Sequence, residues 1–149
     1  MKRISSWNSS KLLTTSSFFF IIPGFYSYYK YHLIYSPLLL LSTSLISANY
    51  WRNALDDWRR KLDLYFSKIS FCYFIYSTFL YVPKQTIIIF GLPNIYGIGY
   101  CFYKSHEYHK KQNKMWKYYH LGFHSFMTAQ LFITMTYMGK HYIRQLKNN

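Results

Sequence analysis

The stretch LDLYFSKISFCYFIYSTFLYV, residues 62–82, decides the fold. Its only charged residues are Asp63 and Lys68, both near its start. A helix needs about 20 mainly apolar residues to cross the ~30 Å hydrocarbon layer of a bilayer, and this stretch has that length and character. Four more stretches of similar kind flank it, at 12–29, 33–51, 86–103 and 118–138. Pro23-Gly24 and Pro93 interrupt the first and fourth, which a bundled membrane helix tolerates as kinks. The expected fold is therefore all-α: a single membrane domain, a polytopic integral membrane bundle of five transmembrane helices.

Composition points the same way. The chain has 149 residues, enough for one domain, with 51% hydrophobic, 23% aromatic and 15% charged residues. A soluble globule carries roughly 25% charged residues of mixed sign, and disordered chains are poor in large apolar side chains. The mean hydropathy of -0.10 is near neutral because eighteen tyrosines score low, although their rings sit comfortably at a membrane interface. A formal charge of +14 suits either nucleic acid or a membrane surface. The basic residues come in short clusters between long charge-free stretches, which favours the membrane and argues against a nucleic-acid partner. Cys72 and Cys101 show neither disulfide nor zinc-knuckle spacing. Lys2, Arg3 and Lys11 before the run Phe18 to Ile22 have the flavour of a signal peptide, but Tyr26, Tyr28 and Tyr29 stand where a small-residue cleavage site belongs.

Five spans put segments 1–11, 52–61 and 104–117 on one side. That side holds twelve basic residues: Lys2, Arg3, Lys11, Arg52, Arg59, Arg60, Lys61, Lys104, Lys110, Lys111, Lys114 and Lys117. The other side holds five: Lys30, Lys84, Lys140, Arg144 and Lys147. Positive charge resists translocation, so the N-terminus is expected in the cytoplasm and the C-terminus on the opposite side. Trp7, Trp51, Trp58 and Trp116 fall on or beside the same face and read as an interfacial belt.

Ionisable groups within spans are costly, so each one calls for a reason. His120 and His124, spaced i, i+4, project from one helix face and have the spacing of two imidazoles that share a metal or hydrogen-bond across helices. Asp63 opens the third span, where it reads either as a helix N-terminal carboxylate paired with Arg59 or Arg60 or as part of a site. Lys68 is expected to snorkel or to meet a polar group in the bundle. His106 and His109, in the stretch Lys104 to Lys111, are expected in a basic, solvated loop and read as solvated. By topology Ser47, Asp63, His120 and His124 occupy similar depth, so a shared site is geometrically allowed.

The order Ser47-Ala-Asn-Tyr-Trp51, then Arg59-Arg-Lys-Leu-Asp63, then His120-Leu-Gly-Phe-His124 resembles the CREST superfamily. That group includes hemolysin-III proteins, progestin and adipoQ receptors and alkaline ceramidases. The resemblance implies a cytoplasm-facing zinc site and hydrolysis of lipid amides. It would make His120 and His124 metal ligands, Asp63 a third ligand or water-orienting group, and Ser47 the stabiliser of an oxyanion. The chain departs from the pattern in two ways. It has five apolar stretches where the family usually has seven spans, and Trp51 stands where the family has its first zinc-binding His.

The departure at Trp51 favours a structural or assembly role in a membrane, with no cofactor. A basic cytoplasmic face would meet anionic lipid headgroups, worth about 1 kcal/mol per Lys or Arg near the surface, or other membrane proteins or further copies of the chain. The alternative is a reduced zinc-dependent lipid amide hydrolase or receptor-like protein. A third possibility is a small channel with Asp63 and Lys68 lining its path.

Overall fold

Each of the five apolar stretches becomes a helix in the computed structural model, which describes Ser5 and residues 7–148 apart from the side chains of Asn8 and Ser9. Lys2 and Arg3, counted above on the basic side, lie outside the described residues. The first helix runs as Trp7–Ser17, a 3-10 turn Phe18–Phe20, and Ile21–Tyr31. The second is Tyr35–Asn53 and the third Trp58–Tyr81. The fourth, Lys84–Lys110, contains a π-helical segment Ile87–Gly91, and the last is Trp116–Asn148. No β-strand occurs among the described residues.

The irregular turns have local causes. Pro23 offers no N–H to the carbonyl of Phe19 and crowds it, so the chain tightens over Phe18–Phe20. Pro93 stands in the same relation to Ile89, inside the widened π segment. His32 and Ala54 end the first and second helices in the left-handed region, at φ 55° and 31°, each N–H reaching a carbonyl one turn back. Asp57 caps the third helix by accepting the Arg59 N–H at 2.9 Å. Pro83 then forces Val82 into an extended conformation and stops that helix.

The helices extend beyond the apolar stretches. The first begins at Trp7 rather than 12, the fourth continues past 103 to Lys110, and the last passes 138 to reach Asn148. Apolarity marks only the part that lipid or a core can hold, whereas the backbone ladder continues wherever side-chain pairs favour it. Glu107, bonded to Lys104 at 2.8 Å and Lys111 at 2.7 Å, is such a pair of supports. His106 and His109 consequently sit on a helix, not in a loop.

Neighbouring contacts show that the helices alternate in direction. Ser17 meets Ser47 and Gly24 meets Pro37, so the first two run antiparallel. Thr43–Ser70 and Ser36–Tyr73 do the same for the second and third. Ser105–His120 and Gly97–Phe126 set the fourth against the last. The last helix is central and packs against the first, third and fourth. The start of the first helix and the end of the last thus lie at opposite ends of the bundle.

Among the described residues one helix, Lys84–Lys110, is long and apolar enough to cross a membrane by length and composition. The expectation of five spans is met in helix number, but not in apolarity, because serine, threonine and tyrosine dilute the other four. The tryptophan belt also needs correction. Trp7 and Trp58 are exposed, but Trp51 and Trp116 are buried and pack together with Leu13, Tyr50 and Ala54 as an inner cluster at one end. Their ring centroids are 6.1 Å apart. At this end the helices converge, so rings aimed at the axis gain more by filling it than by facing outward.

Candidate functional site

All five helices contribute polar groups to the end of the bundle where the first helix starts. His124, buried on the last helix, is 2.8 Å from Ser16 Oγ through its Nδ1. The Ser16 hydroxyl has one proton and places it on the Leu13 carbonyl at 3.1 Å. With the proton so placed its oxygen accepts from His124 Nδ1–H, and with the proton turned to Nδ1 the ring proton sits on Nε2, so the contact serves either tautomer. His120, one turn before, stacks edge-on to His124 with centroids 4.8 Å apart and lies 3.3 Å from Ser105 Oγ through Nδ1. Trp51 presses its ring on His120 at 5.1 Å, and Phe20 packs on His124 at 5.0 Å.

A second set of hydroxyls adjoins the first. Ser17 donates to Leu13 O at 2.8 Å and its oxygen lies 3.3 Å from that of Ser47. Ser44 donates to the Ser17 carbonyl at 2.7 Å. Ser47 and Ser67, the latter one turn along the third helix, place their hydroxyls beside the Asp63 carboxyl. Asp63 is 8% exposed and its Oδ1 has no hydrogen-bond partner. It is not the expected helix-terminal carboxylate. Asp57 takes that role and holds Arg59 at 2.6 Å, while Arg60 binds Asp56 at 2.8 Å. Asp63, a turn and a half further in, faces the bundle interior instead.

The structure thus brings Ser47 to Asp63 and His120 to His124, with the adjacent Ser16 and Ser17 joining the two sets. It makes no hydrogen bond or ion pair between Asp63 and either imidazole. Lys68 lies on an exposed face and not along a path with Asp63. His109 packs edge-on to Trp116 at 5.0 Å. Cys72 is exposed and Cys101 buried, both as free thiols.

The donor set can be tested against zinc. Catalytic zinc takes three protein ligands and leaves a fourth position for water or substrate. Among the described residues no group of three His, Cys, Asp or Glu side chains converges as a metal site. His120 and His124 would supply two ligands, and Trp51, whose ring packs against His120, supplies none. Among the described residues this set is one ligand short of a catalytic zinc centre.

Ser16, Ser17 and Ser105 were not singled out by sequence reasoning. The run Thr14-Thr15-Ser16-Ser17 inside an apolar stretch, at the depth of His124, was the available signal. Ser105 fell just beyond the fourth stretch and was assigned to a loop.

Outside the interior, charge is arranged in short-range pairs. Lys104 and Lys111 hold the Glu107 carboxyl down at about 2. Arg59 likewise keeps Asp57 below the usual carboxylate range. A depressed carboxyl stabilises the fold above its unfolded-state value and loses that contribution as pH falls through its folded value. Glu107 is therefore expected to stay ionised at pH 4 and to protonate only towards pH 2. Carboxyl 13C shifts followed through an acid titration check this, and a midpoint near 4.5 would contradict it.

No protein-family model, curated protein or solved structure matches the chain.

Proposed function

We propose that this chain is a small multi-pass membrane protein with a structural or assembly role, its basic end held against anionic lipid headgroups or partner proteins. The observation that carries the reading is the distribution of polar groups. Among the described residues the buried set holds as many polar side chains as hydrophobic ones, and most of the polar ones are serine or threonine. Large apolar side chains such as Phe25, Leu38, Leu45, Ile69, Phe79 and Ile88 point outward. In water this arrangement would forgo the burial that drives folding, about 25 cal/mol per Å2 of apolar surface. In lipid it is the economical one, because tails are as apolar as leucine and helices associate through small residues and interhelical hydrogen bonds. Thr43–Ser70 at 2.6 Å and Thr78–Thr134 at 2.8 Å are bonds of that kind.

The basic clusters at the helix ends near Arg52, Lys61, Lys110 and Lys117 lie at the same end as the polar interior, which suits a cytoplasmic face rich in anionic lipid. The hydrolase alternative draws on the gathering of Ser47, Asp63, His120 and His124 at that end. Among the described residues it is short of a third metal ligand, so the structural role is preferred.

Alkaline carbonate treatment of membranes from cells expressing the full chain tests the reading. The protein is expected to stay in the pellet and to leave it only with detergent. Recovery in the carbonate supernatant would overturn the proposal. For orientation, Gln112→Cys and Lys147→Cys are placed separately in a Cys72→Ser/Cys101→Ser background. An impermeant thiol reagent applied to intact cells should reach only the second; labelling of the first alone would reverse the topology.

A further inference from the structure

We infer that Asp63, with the hydroxyls of Ser47 and Ser67 and the adjoining Ser17, forms a binding site for a small monovalent cation of sodium type. The argument begins with an imbalance. Asp63 is 8% exposed and among the described residues no cationic side chain pairs with it, since Arg59 is held by Asp57 and Arg60 by Asp56. The Tyr50 phenol of the second helix also interacts with it and brings no positive charge. An ionised carboxylate left in this state is among the costliest things a protein can bury.

A proton alone does not settle the site. Placed on Oδ1, it becomes a buried donor without an acceptor. Placed on Oδ2, it leaves Oδ1 as the acceptor without a donor that it already is. A water molecule at Oδ1 could donate to it but settles the charge only if a proton also sits on Oδ2, so that two species are needed. A cation against Oδ1 removes both defects together.

The surroundings specify which cation. The side chains that meet the Asp63 carboxyl bring hard oxygens: the hydroxyls of Ser47 and Ser67, and beyond them Ser17 Oγ, 3.3 Å from that of Ser47. Hard cations take such ligands, and soft metals prefer sulfur or imidazole nitrogen. A single carboxylate balances a single positive charge, so a divalent ion would leave an excess charge inside the bundle. The inference rests on burial within the bundle and holds whichever solvent surrounds the exterior.

Thermal unfolding of the purified full chain tests the site, in detergent or in plain buffer according to where the chain is soluble. Sodium chloride is compared with choline chloride at equal ionic strength and constant pH. Sodium is expected to raise the midpoint by about 3 °C at a tenfold excess over its dissociation constant. Asp63→Asn, which keeps the shape and removes the charge, should abolish that difference. Equal midpoints in the two salts for the natural chain would overturn the site and leave a proton as the neutralising species. A sodium effect that survives Asp63→Asn would overturn it as well. Should Asp63→Asn fail to fold, Ser67→Ala must weaken the sodium effect, and an unchanged effect in that variant counts against the site.

Discussion

Gly139→Ala is expected to destabilise the protein by about 1–3 kcal/mol, while Gly97→Ala costs under about 1 kcal/mol. Both glycines lie on interhelical seams where a ring of another helix rests on the backbone. At Gly139 of the last helix, an added Cβ would overlap the Tyr31 ring of the first. Tyr31 is 4% exposed and closely flanked by Tyr26, at 5.9 Å between centroids, so its ring has no free direction. Relief requires the first and last helices to separate. At Gly97 the Cβ would come within 2.8 Å of the Phe126 ring, but that ring is 39% exposed and can swing outward. Small residues let helix backbones approach closely, so losing that approach at the central helix should be felt throughout. Unfolding midpoints of the two purified variants check the contrast. Equal effects would show that the Tyr31 seam is not tightly packed.

Trp51→His is expected to confer zinc binding, from about none in the natural chain to about one ion per molecule. Trp51 already touches His120 at 5.1 Å, and His120 touches His124 at 4.8 Å. An imidazole at position 51 would therefore point a third nitrogen at the same space, completing a three-ligand set with an open fourth position. Ser16 engages Nδ1 of His124, so Nε2 is the ring nitrogen left to face a metal. The change empties part of the inner cluster formed with Leu13, Tyr50, Ala54 and Trp116, so the metal-free variant should be less stable than the natural chain. Zinc should restore part of that loss, since a ligand that binds only the folded state stabilises it. Metal analysis after dialysis is the measurement, with His120→Ala in the same variant as control. If Trp51→His retains no zinc, or if zinc persists without His120, the three positions do not converge as described.

The helices were legible because their signal is local. An apolar run bounded by basic clusters makes a helix almost whatever its neighbours, and parity then dictates that the helices alternate in direction. The grouping of Ser47, Asp63, His120 and His124 at one end followed from parity alone. Rotation of each helix about its axis is a different matter. Serine, threonine, tyrosine and tryptophan suit an interior, an interface or an exposed face, so a single sequence does not say which way they turn. This is why Trp51 and Trp116 turned inward unexpectedly, and why the partners of the two histidines came from Ser16 and Ser105.

Sequence alone thus determined five helices, their alternation and the end at which the ionisable groups collect, because backbone hydrogen bonding and apolarity act over a few turns of one chain segment. Only the tertiary structure decided that Asp63 is buried without a counter-charge among the described residues, that Asp57 and not Asp63 caps the third helix, and that His120 and His124 meet serines. Those outcomes depend on which side chains from other helices arrive at the same few ångströms, and that is a property of packing that no single segment carries.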